Sequence, residues 1–259
     1  MNRVEAPVTS EADDRNGLAA LAKSRRLRAA INIGNAALAQ RDERSGALTG
    51  VSPAIARELS RRIGCELDLV IYPSAGKVSE AAERGEWEIA FLARDPGRAD
   101  RLAFSIPYVA IEGTYIVRKD SGFRGAADID RPGQRVCVTH NAAYDHILSR
   151  QLEHAEIVRA ATPTDTLALF LQGGHNAAAG IRQPLENYAQ SHPELKVLED
   201  RFALIEQCIA VPKSDEDSIP ALDRFLAQAI ESGMVRQALD LSGQQQVAVA
   251  TEASLGRTA

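Results

Sequence analysis

The segment ERGEWEIAFLARDPGRADRLAFSIPY, residues 83–108, sets a short apolar run directly before a charged turn. Residues 88–92 (EIAFL) have the length and apolar continuity of a buried strand, and Asp95-Pro96-Gly97-Arg98 carries the residue types that make a turn. In open α/β sheets ligands bind beyond the carboxyl ends of the strands, which is where this turn falls. An arginine there can hold a carboxylate through two parallel hydrogen bonds. From position alone, Arg98 is also readable as a solvated turn residue.

Upstream, residues 17–26 (GLAALAKSRR) have helical apolar spacing and read as one short helix before a buried strand over 27–34. A helix follows from about residue 51, with Ser52 as its cap, Pro53 in its first turn and Gly64 at its end. Its apolar face is Ile55, Ala56, Leu59 and Ile63. Residues 66–72 alternate in strand fashion, and a second helix over 75–84 stops at Gly85. Downstream, strands are expected at 114–118, 135–139, 156–159 and 176–181, and helices at 142–152 and 164–172. Residues 203–212 read as a strand pair, 218–237 as one long helix, and the chain from Gly243 as a loose tail. Strands alternating with helices imply parallel βαβ crossovers and an α/β layer fold. Two such units, with the chain returning to the first, imply a bilobed protein.

Composition excludes more than it assigns. The 259 residues carry 30 basic and 35 acidic side chains, a net charge of −5 that argues against general affinity for nucleic acid or an anionic membrane. No apolar run approaches the roughly 18 residues of a membrane helix. Cys65, Cys137 and Cys208 show no CxxC spacing, and no phosphate loop, dinucleotide fingerprint, GxSxG elbow or HExxH pair is present. The nearest cluster is Cys137, His140, Asp145 and His146, but Cys137 lies in an apolar strand and reads as an inert buried thiol. No cofactor or metal is therefore expected. Residues 1–16 are polar and read as a mobile lead. Within 1–20, acids stand where the apolar core of a secretory signal would lie, and Ser24-Arg25-Arg26 precedes a run too short and polar for twin-arginine export.

With these motifs in order, the chain resembles the family 3 extracellular solute-binding proteins, amino-acid-binding subunits of bacterial ABC importers with the type II periplasmic-binding fold. The resemblance runs from about Gly17 to Gly233. It includes Leu48-Thr49-Gly50-Val51, Gly85-Glu86-Trp87-Glu88-Ile89-Ala90, the turn Pro96-Gly97-Arg98-Ala99 and Phe104-Ser105-Ile106-Pro107-Tyr108. Ala127-Asp128-Ile129, Pro132-Gly133 and Ile209-Ala210-Val211-Pro212-Lys213 continue it.

The resemblance implies a two-lobed Venus-flytrap with two hinge crossings, one lobe from 27–112 with 208–259 and the other from 113–207, after a polar segment over 1–26. It implies a monomer that binds a small carboxylate, an amino acid or close analogue, and delivers it to an ABC permease in the periplasm. Arg98 matches the residue that grips the ligand carboxylate, with Ala93, Arg94 and Asp95 beside it. The N–H groups of Asn141-Ala142-Ala143 match the helix start that faces the carboxylate. Asn35 stands in the first loop, where the family's aromatic lids are absent, and Tyr72 is a further candidate for the lining. The family's amine-binding Asp falls at Ile181 or Arg182, neither acidic. Either Asp95 or Glu112 supplies that charge, or the ligand lacks an α-amine; Arg182 in the cleft would favour a second acidic group. Two alternatives share the scaffold: a cytoplasmic sensory protein, and a lyase like the cyclohexadienyl dehydratases, with Glu112 or Asp145 as its acid.

Overall fold

The computed structural model describes residues 17–42 and 44–251. β1 (Arg26–Asn32) is followed by a small antiparallel ribbon, β2 (Gln40–Arg41) with β3 (Leu48–Thr49), and by α1 (Val51–Ile63). β4 (Glu66–Tyr72), α2 (Ala75–Ala82) and β5 (Ile89–Ala93) complete the first unit, in which β1 lies parallel between β4 and β5. A 3₁₀ turn over Pro96–Arg98 leads into β6 (Leu102–Arg118). The second unit is β7 (Arg135–Thr139), α3 (Ala143–Gln151), β8 (Glu156–Ala160), α4 (Pro163–Leu171) and β9 (Ala177–Ile181), with β7 parallel between β8 and β9. Then come α5 (Arg182–Gln190), β10 (Leu195–Val197), β11 (Ala203–Pro212), α6 (Ile219–Glu231), α7 (Met234–Leu241) and β12 (Ala248–Val249).

The main sheet path is β4-β1-β5-β11-β6-β9-β7-β8, with β10 and β12 added to β6. The two parallel units are thus two lobes, joined by the long antiparallel pair β6 and β11. Every residue of β5 is buried, as a strand covered on both faces requires.

The pairing of β6 with β11 shifts register between Gln207 and Cys208 and again between Cys208 and Ala210. The segment Phe104-Ser105-Ile106-Pro107-Tyr108 shows why. Pro107 has no N–H for a ladder and sits at this irregularity, where proline is tolerated. The displaced groups find other partners. Ile209 N donates to Ser105 Oγ at 2.9 Å and Ile106 N to Asp223 Oδ1 at 2.6 Å. Tyr108 is fully buried, its hydroxyl 3.0 Å from Ser52 Oγ and its carbonyl accepting from Ala250 N at 3.1 Å.

Several expectations are corrected. Ser52 does not cap α1; Gly50 does, at φ 112°, where a Cβ would lie 2.4 Å from Leu38 O. Residues 17–26 form a helical turn and a separate 3₁₀ turn over Lys23–Arg25. The expected strand at 114–118 is only the end of β6, and 203–212 is one strand. The long helix breaks at Gly233, φ 78°, into α6 and α7. Residues 243–251 are tied down: Ala248 and Val249 pair with Ala110 and Val109, and Val247 and Ala250 are buried. The lead over 1–16 and the last eight residues lie outside the described residues.

Glu88 was read inside the strand; it stands just before β5, 1% exposed. Its carboxylate accepts from Arg28 N at 2.8 Å and from Arg28 Nε and Nη2, locking β1 to β5. Glu88→Ala is expected to cost about 2 kcal/mol, less than the roughly 3–5 of breaking a fully buried pair because Arg28 is about one-third exposed. Removing the exposed partner of Arg26 by Glu66→Ala is expected to cost under about 0.5 kcal/mol. Urea unfolding of both variants checks the contrast.

Candidate functional site

A cavity of ≈ 80 Å³ lies between the lobes, at the carboxyl ends of the parallel strands. The first lobe contributes Asn32 at the end of β1, Gly34 and Asn35 after it, Ser74 and Ala75 at the start of α2, and the end of β5 with Arg98. The second contributes Thr139, the start of α3, the first turn of α4 and the end of β9. Ile111, Ile205 and Gln207, from the crossing strands, form the floor. The lining is mostly apolar with a few polar groups, as small-molecule sites are.

Arg98 is the one charged lining residue among those described, and it is 2% exposed. The turn places it: Asp95 caps the 3₁₀ helix by accepting from Gly97 N at 2.7 Å, and Pro96 starts it. Arg98 Nη1 donates to Ala93 O of its own lobe at 3.2 Å, and Nη2 to Asn141 O of the other at 2.7 Å. Its Nε is buried without a partner. Burial pushes this guanidinium below its ordinary pKa, with the Asp95 charge opposing.

Asn141 presents that carbonyl from a left-handed conformation, φ 58°, which asparagine tolerates better than most residues. Its own N–H donates to Asp145 Oδ2 at 3.0 Å, and Ala142 N donates to Thr139 O. The expected anion cradle of Asn141-Ala142-Ala143 therefore has its first two N–H groups already committed. Ala142 and Ala143 line the cavity; Asn141 reaches it only through Arg98.

The remaining candidates divide. Ala93 and Asn35 line the cavity, and Asn35 Oδ1 is buried without a partner. Tyr72 does not line it: its hydroxyl donates to Glu86 at 2.8 Å, and burial, with Glu86 beside it, pushes its pKa up to about 12. Arg94 donates to Ser105 O at 2.7 Å outside the lining. Arg182 lies outside it too, donating to Glu112 at 2.6 Å and to the carbonyls of Leu198 and Glu199. Glu112 also accepts from Arg201, and Asp145 from Arg159, so both acids named for a lyase are held in ion pairs outside the cavity. The Cys137 thiol is buried and pushed up to about 11 by desolvation, as an inert thiol should be.

The second lobe also holds a hydroxyl chain that no expected site residue includes. Tyr144 donates to Thr139 Oγ1 at 2.7 Å, Thr139 and Thr166 hydroxyls lie 2.8 Å apart, and Thr166 donates to Thr162 O. Burial pushes the Tyr144 phenol up to about 12, so it stays a neutral donor. Thr166 at i+4 from Thr162 is the kind of pair that could have flagged it.

Residues 27–240 match the bacterial extracellular solute-binding proteins, family 3. The chain belongs to this family. Among solved structures it is similar to a mutant of ArgBP from T. maritima, with TM-score 0.74, 22% identity, and coverage of 87% of this chain and 98% of that one. A cysteine-binding protein from Campylobacter jejuni gives TM-score 0.75 and 17% identity over 90% and 99% of the two chains. These likenesses establish the type II periplasmic-binding fold. The virulence sensor protein BvgS of Bordetella bronchiseptica is 27% identical over 138 residues, 52% of this chain and 11% of that protein. The match thus spans only about a tenth of that relative.

In this family member the lobes also meet beside the cavity. Gly76 packs so closely that an added Cβ would lie 3.0 Å from Asn141 Cβ. Asp95, 2% exposed, lies 2.8 Å from His146 Nδ1 across the lobes, with Arg150 at 4.0 Å. Burial pushes the Asp95 carboxyl up, but the His146 and Gly97 hydrogen bonds and the His146 and Arg98 charges outweigh it, leaving the pKa below its ordinary value. A depressed carboxyl contributes stability that is present above its unfolded pKa, about 3.9, and lost as pH falls through the folded value. Urea unfolding between pH 6 and pH 3 is expected to show the gap between wild type and Asp95→Asn shrinking below about pH 4. A gap unchanged with pH would assign Asp95 no such role.

Proposed function

We propose that this protein binds a small carboxylate-bearing solute, of amino-acid size, in the cavity between its lobes and serves as the substrate-binding component of an ABC importer. One observation carries the reading: Arg98, a buried cation on the cavity wall with an unpartnered Nε. A buried cation in a mostly apolar cavity favours an anionic ligand, and a guanidinium matches a carboxylate in geometry. The relatives support solute binding in general: one is named for arginine and another for cysteine. The lobes are taken as 27–112 with 208–259 and as 113–207, with Ala93, Asn35, Ala142 and Ala143 at the ligand. The periplasm is the expected compartment, since the family is one of extracellular proteins. A permease and no nucleic acid are the expected macromolecular context, with the protein a monomer.

The BvgS likeness favours a second reading, a ligand-sensing module of the same fold. Uptake of the labelled ligand by cells lacking this protein separates the two: import requires that uptake fall, sensing that it persist.

Thermal-shift screening against short organic and amino acids is expected to find a stabilising ligand. At about 100 times Kd, binding adds roughly 2.7 kcal/mol, which raises Tm by about 5–10 °C for a chain of this size. Arg98→Ala is expected to weaken binding by about 100-fold, the loss of charge-assisted hydrogen bonds. Arg98→Lys, which keeps the charge but not the planar donor pair, is expected to fall between. Unchanged affinity in Arg98→Ala would overturn the reading, and urea unfolding of each variant separates lost binding from lost folding.

A further inference from the structure

Which carboxylate the cavity accepts depends on what stands opposite Arg98. No Asp or Glu among the described residues lines the cavity. Acids beside it have partners of their own: Asp95 accepts from Gly97 N and hydrogen-bonds His146, Glu112 pairs with Arg182 and Arg201, Asp145 pairs with Arg159, and Glu206 lies 3.9 Å from Arg94. Strand register keeps two of them out. Ile111 pairs with Ile205 and both reach the cavity; side chains alternate, so Glu112 and Glu206, one residue on, fall on the opposite face.

The cavity wall therefore presents one cation, whose charge Asp95 opposes from outside the lining, and no carboxylate. A zwitterionic amino acid would bury its ammonium beside Arg98 with no carboxylate on the wall to pair it. A carboxylate without an ammonium pairs with Arg98 and brings no such second cation. Burying an unpaired charge in a low-dielectric site is costly, so the difference favours the anion.

The neutral polar groups narrow the choice. The hydroxyls of Tyr144, Thr139 and Thr166 are already engaged with one another and with Thr162 O. Two buried atoms of lining residues have no partner: Arg98 Nε, a donor, and Asn35 Oδ1, an acceptor. A ligand that satisfies both offers a carboxylate and a neutral hydroxyl. The volume of ≈ 80 Å³ admits about half a dozen ligand atoms, at roughly 10–15 Å³ of this space per water-sized group.

We propose that the ligand is a short 2-hydroxycarboxylate without an α-amine, its carboxylate on Arg98 and its hydroxyl donating to Asn35 Oδ1. This rests on the reading of the cavity as a carboxylate site.

Titration calorimetry of the whole protein with matched triplets tests it: lactate, alanine and propionate, then 2-hydroxyisovalerate, valine and isovalerate, with both enantiomers of each chiral acid. The 2-hydroxy acid of at least one triplet is expected to bind ten-fold or more tightly than its amino counterpart and more tightly than the unsubstituted acid. Asn35→Ala is expected to erase the advantage over the unsubstituted acid. Ile181→Asp, which sets a carboxylate on the cavity wall, is expected to shift preference toward the amino acid. An amino acid that binds wild type as tightly as its hydroxy analogue, with binding still lost in Arg98→Ala, overturns the amine-free ligand and leaves the carboxylate site standing. Equal binding of hydroxy and unsubstituted acids removes the hydroxyl from the proposal and overturns it as stated. No binding by any member of either triplet overturns it as well, and the wider screen of amino and organic acids then decides whether the carboxylate site also fails.

Discussion

The pairing of β6 with β11 is the constraint on which the rest of this fold depends. Each strand belongs to both lobes, so the ladder from Leu102–Pro212 to Gly113–Ala203 positions two parallel sheets and the space between them. Its register decides which side chains meet the cavity. With Ile111 opposite Ile205, the floor is apolar and the neighbouring Glu112 and Glu206 face away. A slip of one residue in either strand would bring an acid into the cavity. The bulged region around Pro107 and Cys208 lies beside this floor, and its displaced N–H groups are satisfied by Ser105 and Asp223. Both of these N–H groups are thus bonded, which lets the irregularity persist in the middle of a buried sheet.

The contact between the lobes beside the cavity follows from the turn after β5. That turn must end a fully buried strand and expose Arg98 to the cavity, and Asp95 makes it by capping Gly97 N. The same Asp95 then meets His146, and the same Arg98 meets Asn141 O. One short segment therefore reads the position of the opposite lobe twice, through a side chain and through a backbone carbonyl. Gly76 permits the approach, because any side chain there would press on Asn141 and His140. The left-handed Asn141 turns its carbonyl toward Arg98, and Asp145 compensates its N–H.

Much of this was legible in the sequence where a single local signal governs the outcome. β4 and β7 fall at the expected residues because alternation and apolar runs are enforced by burial within one short strand. The turn at Asp95–Arg98 was legible from turn chemistry alone. Elements governed by distant partners were not. β6 was read only at its end because Pro107 and Gly113 break a local strand pattern that β11 sustains from far along the chain. α5 is not among the helices expected from the sequence; Pro184 stands in its first turn, where proline costs little. Arg182 looked like a cleft residue by position, yet Glu112 and two carbonyls draw it elsewhere. Glu88 is expected from the sequence as the first residue of a strand, and only its pairing with Arg28 shows why an acid is buried just before β5.

A residue's presence on a cavity wall says less than whether its hydrogen bonds are already made. The N–H groups of Asn141 and Ala142 are spent inside the second lobe, and the hydroxyls of Tyr144, Thr139 and Thr166 form a closed chain. These groups fix the shape of the wall but have little left to offer a ligand. Buried polar groups are normally satisfied, so atoms left without a partner mark where a solute gains most by entering. Around this cavity those atoms are Arg98 Nε on the turn and Asn35 Oδ1 in the loop after β1. Both belong to the first lobe, while the second supplies a pre-bonded, mostly apolar wall. The polar groups still able to gain a partner are therefore gathered on one side of the cavity.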